Sequence, residues 1–382
     1  MATLHHLPAV CWTAGGGMDT AQEIAQQPEV WRQIPACLDL LPPDARASLH
    51  ALLADPASLV LLTGAGTSAY VGELAADHLD AAWPARVRAL ATTSLLSHPA
   101  SYLPFRTAGQ PVLLVSFARS GSSPESLAAV ELVRARVPGA RFLNITCNAE
   151  GRLAREGGAR NDTINLVLPP ACCDRGFAMT SSFTTMLLAA LALLGPEPLP
   201  AVLARIDTLA TLAERWLAGQ AADWHALGQL SLQRIVYLAG GPLEALAREA
   251  ALKVLELSGG RIVALANTPL GFRHGPKAVL NRDSLVVLFH SQHPHARRYD
   301  QDLLDELRRD GVAADVIAVD GGALGAPDTL PDAWLAACHV IFAQVLALHQ
   351  SLRLGLTPDS PFPDGTVNRV VQGVTIHDHA YA

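Results

Sequence analysis

The amino-acid sequence predicts an α/β protein of two tandem domains, each a parallel sheet with helices on both faces. Three observations predict it. Half of the 382 residues are apolar, 16% are charged and only 5% aromatic, so the cores must be built mainly from Ala, Leu and Val, a mixture that suits helices packed on parallel strands. Short apolar runs alternate with helical stretches, as strand–helix–strand crossovers require. The same plan then appears a second time, in a chain too long for one compact domain.

The elements follow in order. Residues 1–45 read as an arm of short helices, with Thr20-Ala-Gln-Glu23 as a capping box and Pro28 and Pro35 as punctuation. Strands are expected at 58–63, 87–91, 112–117, 142–146 and 164–168, with helices between several of them, 123–136 among them. A long apolar helix over 181–194 closes this half, and Pro196 to Pro200 mark the boundary. The second half reads as helix 205–230, strand 235–239, helix 243–257, strands 262–265 and 285–289, helix 299–309, strand 316–319 and helix 334–354. The resulting division is an arm (1–45), a first domain (46–199), a second domain (200–357) and a Pro-, Asp- and Gly-rich tail (358–382).

Composition narrows the function. The formal net charge is −7 with both signs interspersed and no basic stripe, which argues against a nucleic-acid partner. The six cysteines lack C-x-x-C spacing, and adjacent Cys172 and Cys173 suit a reduced, cytoplasmic state. No basic leader precedes an apolar run at the start. The longest uninterrupted apolar run, 186–194, is too short to span a bilayer, so no membrane partner is expected. Only two of the 28 basic residues are lysines, Lys253 and Lys277, and both lie within one 25-residue stretch. An ammonium is expected to matter at those two places.

Four constellations carry chemistry. Thr63-Gly-Ala-Gly66-Thr67-Ser68 joins a strand to a helix, where glycines admit an anion and the helix end directs N–H groups at it. It lacks the third glycine of a dinucleotide fingerprint and the lysine of a P-loop. Ser116-Phe-Ala-Arg119-Ser120-Gly-Ser122-Ser123-Pro-Glu-Ser126 is a second such junction. One serine suffices for a helix cap, which leaves the others to be explained. Two hydroxyl-rich turns at the carboxyl edge of one sheet suit a phosphate monoester. In Glu249-Ala-Ala-Leu-Lys253-Val-Leu-Glu256, the three charged residues share one helix face. Apolar neighbours leave little solvent face, so a buried Glu tuned as a general base is expected there. Finally, His274 in Pro269-Leu-Gly-Phe-Arg-His-Gly-Pro-Lys277 is pinned between turns, as a proton-transfer group must be. His290, His293 and His295, like His377 and His379, lack the regular spacing of a zinc site; no metal and no cofactor are expected.

Together these segments resemble the sugar isomerase (SIS) domain superfamily along nearly the whole chain, most closely the galactosamine-6-phosphate deaminase/isomerase family, also described as tagatose-6-phosphate ketose/aldose isomerase. The matching strings are Glu23-Ile24 with Gln27-Pro28, residues 116–126, Gly176-Phe-Ala-Met-Thr-Ser-Ser-Phe183, residues 270–277, and Val367-Asn-Arg-Val-Val-Gln-Gly373. The family is similar to the isomerase half of glucosamine-6-phosphate synthase. That resemblance implies that Ser68, Ser120 and Ser123 hold the phosphate with help from Thr67, in a cradle that includes Gly66, Arg119 and Ser122. It implies Glu256 as the base between C1 and C2, His274 as the ring-opening group lent by a neighbouring subunit, and Lys253 beside the developing enolate. A homodimer or higher homo-oligomer with shared active sites follows. Glu249, Ser181 and Lys277 are secondary candidates.

Two departures bear on activity. The chain carries neither a glutaminase domain nor any lysine beyond Lys277 to form an imine, which speaks against glutamine-dependent synthesis. Ser122 also stands where the family pattern has asparagine. The expected reaction is conversion of galactosamine 6-phosphate into tagatose 6-phosphate and ammonia. The alternatives are aldose–ketose isomerisation without deamination, a phosphosugar deglycase, and a non-catalytic sugar-phosphate sensor.

Overall fold

A computed structural model describes residues 3–103 and 109–377. The described chain packs as two compact units. The first, built from Glu29–Cys173, Ser181–Ile206 and the segment from Val367, holds five strands. These are β1 (Leu59–Thr63), β2 (Arg86–Ala89), β3 (Val112–Ala118), β4 (Arg141–Thr146) and β5 (Thr163–Val167). All pairings are parallel and the order is β2-β1-β3-β4-β5. β1 and β3 are buried along their whole length, as expected of strands covered on both faces. Helix α1 (Thr67–Ala82) leaves β1, and α2 (Pro124–Arg136) leaves β3. Leu59, Leu61, Val112, Leu114 and Phe142 meet Ala129, Leu132 and Val133 of α2 in one core. Every residue of α3 (Ser181–Leu194) is buried, which accounts for its lack of a polar face.

The second unit comprises residues through Pro28, Asp174–Thr180 and Asp207–Thr366. Its strands β6 (Arg234–Leu238), β7 (Val263–Asn267), β8 (Ser284–Phe289) and β9 (Asp315–Val319) are parallel in the order β9-β8-β6-β7. Counted from its own first strand this is 2-1-3-4, the same winding as the other sheet without its fifth strand. The repeat inferred from element order is therefore a repeat of topology.

Helix α4 (Leu199–Gly219) begins in the first unit and, from Asp207, continues in the second; α5 (Glu244–Leu257), α6 (Pro294–Asp310) and α7 (Asp332–Arg353) are the longest of the others there. Val236, Leu238, Val286 and Leu288 pack against Leu303, Leu304 and Leu307 of α6. Among the described residues α7 alone is long and apolar enough to cross a membrane, but 94% of its apolar window lies inside the protein. Its interspersed His339, Gln344, His349 and Gln350 hide it from a search for uninterrupted apolar runs.

Each unit draws on several stretches of the chain, with the expected arm shared between them at Pro28 and the tail at Thr366. The structure corrects two expectations. The helix expected over 205–230 is two, with a break at Gln220. The capping box is not formed, because its helix starts at Met18 and the far-off Asp359 accepts the amides of Asp19 and Thr20 and the Thr20 hydroxyl, at 2.6–3.0 Å. Glu23, released from capping, accepts the backbone N–H of Arg175 at 2.5 Å and of Gly176 at 3.2 Å. All six cysteines are free.

The arm also brings histidines together. His5 bonds the carbonyl of Ala21 at 2.8 Å, and Nδ1 of His225 lies 3.3 Å from Nδ1 of His349. Burial lowers His5 to about 4 and His339 to about 3; burial, then the neighbouring His225 and His5, lower His349 to about 3. The unfolded chain takes up these protons near 6.5, so the stability they confer is complete above that pH and is lost as pH falls toward 3–4. The urea midpoint should drop steeply between pH 6.5 and 4, and less steeply in His349→Gln; an unchanged pH dependence would count against the cluster.

Candidate active site

In the first sheet the chain reverses its winding between β1 and β3, and doubly wound folds bind ligands outside the carboxyl ends of the strands at that switch point. Both hydroxyl-rich turns lie there. Thr63 and Ser116 are register partners on the two strands, and the turns begin just after them. After β1, Gly64 has no room for a Cβ, which would lie 2.5 Å from the Ser68 carbonyl, and Gly66 sits at φ +57°. α1 then starts with Thr67 and Ser68, both buried, and its N-cap position is Gly66, which brings no side chain of its own. A helix end of this kind presents N–H groups and a positive dipole to an anion.

The turn after β3 is more strongly braced. Gly121 has φ +62°, and its carbonyl accepts the Leu153 amide at 2.7 Å. The Ser120 carbonyl accepts from Asn148 at 3.1 Å, while its hydroxyl accepts the Ser122 amide at 3.3 Å. Ser123 caps α2: its hydroxyl accepts the Ser126 amide at 3.3 Å and donates to the Ser126 hydroxyl at 2.7 Å. The two remaining members have structural partners instead. Ser122 accepts the amide of Arg152, tying the turn to the next helix. Arg119, buried, donates to the carbonyl of Arg369 at 2.7 Å and so tethers the Val367–Gly373 string to the turn. Asn148 and Gly151 were not singled out from the sequence; the Gly151 Cα leaves no space for a Cβ beside the Ser120 carbonyl, and a short Asn-x-x-Gly after β4 was the available signal.

On α5, in the other unit, the predicted face is present. Lys253 is fully buried, with Nζ 2.6 Å from Glu256 and 3.3 Å from Glu249. Burial pulls the lysine pKa down, but the two carboxylates outweigh it and hold it above its ordinary value. The acids differ in access. Glu249 is sealed, whereas the Glu256 side chain is 22% exposed although its Oε2 is shielded at the lysine. Of this pair Glu256 alone reaches solvent; Glu249 is a buried counter-ion to the lysine. With no exposed surface of its own, Lys253 in this structure holds Glu256 by ion pairing.

His274 is exposed, between Phe272, which is buried in the sheet core, and Gly275 at φ +117°. Lys277 pairs with Glu306 and Asp310 of α6. Ser181 is sealed in the first turn of α3. Among the described residues no three His, Cys, Asp or Glu side chains are arranged to hold a metal ion; His290 pairs with Asp320, and His379 lies outside the described residues.

Twin doubly wound sheets, one with hydroxyl-lined turns at its switch point, define a protein of the SIS class, and the SIS domain family matches residues 231–340. More particularly, the chain belongs to the family of the D-galactosamine-6-phosphate deaminases AgaS. It is 41% identical to that deaminase from Shewanella sp. over 371 residues, 96% of this chain and 93% of the relative. Identity to the Escherichia coli deaminase is 43% over 380 residues, 95% and 97% of the two chains. The crystal structure of tagatose-6-phosphate ketose/aldose isomerase from Escherichia coli superposes with a TM-score of 0.86 at 38% identity, covering 99% of this chain and all of that one.

Because a buried ammonium stripped of a counter-ion is strongly unfavourable, Glu249→Ala should cost about 3 kcal/mol in urea unfolding. Glu256→Gln should cost markedly less, since Glu249 remains. Equal costs would contradict the division of roles.

Proposed function

We propose that this enzyme converts D-galactosamine 6-phosphate into tagatose 6-phosphate and ammonia. The observation that carries the proposal is the partly exposed Glu256 side chain, its Oε2 held 2.6 Å from a buried ammonium, in a chain whose relatives are named for that deamination. The phosphate is taken by Thr67, Ser68, Ser120 and Ser123 with the amides of their turns, Gly66 giving the backbone room. His274 assists ring opening. Glu256 then removes the C2 proton of the open-chain aldehyde, and the electron pair moves through C1 to its oxygen, forming an enolamine. Return of the proton to C1 leaves an imine at C2; water adds there and ammonia departs. Lys253 fixes Glu256, and a positioned charge of this kind is worth about 3 kcal/mol to a transition state.

Glu256→Gln should keep substrate affinity within about threefold and lower kcat by at least about 1000-fold, as loss of a general base does. Unchanged turnover would remove Glu256 from the role. The isomerase from Escherichia coli supports a second reading, aldose–ketose isomerisation without loss of nitrogen. Stoichiometric ammonia from galactosamine 6-phosphate favours the first; ketose formation with no ammonia favours the second.

The proposal includes a cytoplasmic homodimer in which each copy lends His274 to the other. Exposed Val263 and Leu265 on the edge strand β7, and exposed Leu270 in the His274 loop, support an apolar contact there. Inactive His274→Ala and Glu256→Gln proteins, mixed and reassorted, should then recover about a quarter of wild-type activity. No recovery despite subunit exchange would refute the sharing.

A further inference from the structure

We infer that Glu306 of α6 is a positioning residue for His274, clamping both shoulders of its loop; the inference rests on the proposed role of His274. The ends of the loop are well anchored. Thr268 caps the turn Pro269–Phe272 by accepting the Gly271 amide at 3.1 Å, and Asn267 accepts the Thr268 amide at 2.9 Å. Gly271 leaves no room for a Cβ, which would lie 2.6 Å from the Thr268 hydroxyl. At the other end Arg234 of β6 donates to the Val279 carbonyl at 2.8 Å.

Between these anchors stand Arg273, His274 and Gly275, and the glycine occupies a left-handed conformation that no other residue holds without strain. The His274 ring is exposed and makes no hydrogen bond among the described residues. What fixes this stretch is charge. Arg273 Nε donates to Glu306 Oε2 at 2.7 Å, and Lys277 donates to Glu306 Oε1 and to Asp310 Oδ2. One carboxylate thus takes a cation with each oxygen, on either side of the histidine. Asp310, one helical turn further along α6, holds Lys277 alone.

These side chains are between a fifth and a third exposed, so solvent screens the pairs and they add little to global stability. Catalysis is far more sensitive, because a displacement of about 1 Å can cost a proton-transfer group about 100-fold in rate. That contrast separates positioning from a merely structural role.

The test uses the full chain with galactosamine 6-phosphate, comparing Glu306→Gln, His274→Ala and the double variant for kcat, KM and urea midpoint. Glu306→Gln should lower kcat about 30-fold with KM and the urea midpoint nearly unchanged, and the double variant should be no slower than His274→Ala alone. Glu306→Asp, which keeps the charge, should recover part of the loss. A kcat within twofold of wild type for Glu306→Gln, or losses that multiply in the double variant, would overturn the inference. Turnover that survives His274→Ala overturns it as well, and identifies the role of His274 as the part that failed.

Discussion

A lysine with no exposed surface, held on α5 between one carboxylate a turn before it and another a turn after it, is the interaction on which the proposed chemistry rests. An ammonium cannot be taken out of water alone, so the helix must supply counter-charge on the same face, and i, i+3 and i+4 spacing does so. The arrangement is asymmetric. Glu249 completes the neutralisation from inside, which leaves Glu256 at the boundary of the buried region, its side chain 22% exposed and its Oε2 shielded at the lysine. A guanidinium, planar and wider, is not equivalent to the compact ammonium that reaches both carboxylates. In a chain that otherwise uses arginine nearly everywhere, a lysine at this position fits that difference.

The duplicated architecture sets off a difference between the turns that follow the third strand of each sheet. Both sheets wind in the same order, so each has a switch point and a turn after its third strand in sequence. After β3 that turn offers Ser120, Ser122 and Ser123. After β8 the corresponding turn is satisfied from within: Asp332 accepts the Ser291 hydroxyl at 2.5 Å and the Gln292 amide at 2.7 Å, and Asp300 accepts the Ser291 amide at 3.0 Å. Here the chain's own carboxylates occupy the donors. The second unit has instead invested its sequence in α5 and the His274 loop.

Local chemistry decided what was legible in the sequence. Strands read correctly to within a residue or two because β1, β3 and β8 are continuous aliphatic runs buried on both faces. The α5 face was legible because three charges among Ala, Leu and Val have nowhere else to go. What escaped were pairings between distant residues. Asp359 caps a helix some 340 residues away, so the Thr20–Glu23 spacing, though correct for a capping box, is used otherwise. Lys277 looked like a candidate because of its rarity, yet its partners, Glu306 and Asp310, sit on a helix whose charges resemble any solvated face. The hydrogen bonds of Arg119 to Arg369 and of Ser122 to Arg152 likewise depend on contacts that spacing does not encode.

Proton transfer at C2 by the accessible carboxylate is the central claim, and it can be observed apart from ammonia release. In heavy water, nuclear magnetic resonance follows exchange of the C2 proton of galactosamine 6-phosphate for deuterium. The account predicts enzyme-dependent exchange that disappears in Glu256→Gln while inorganic phosphate still binds. Exchange that persists in that variant would contradict it.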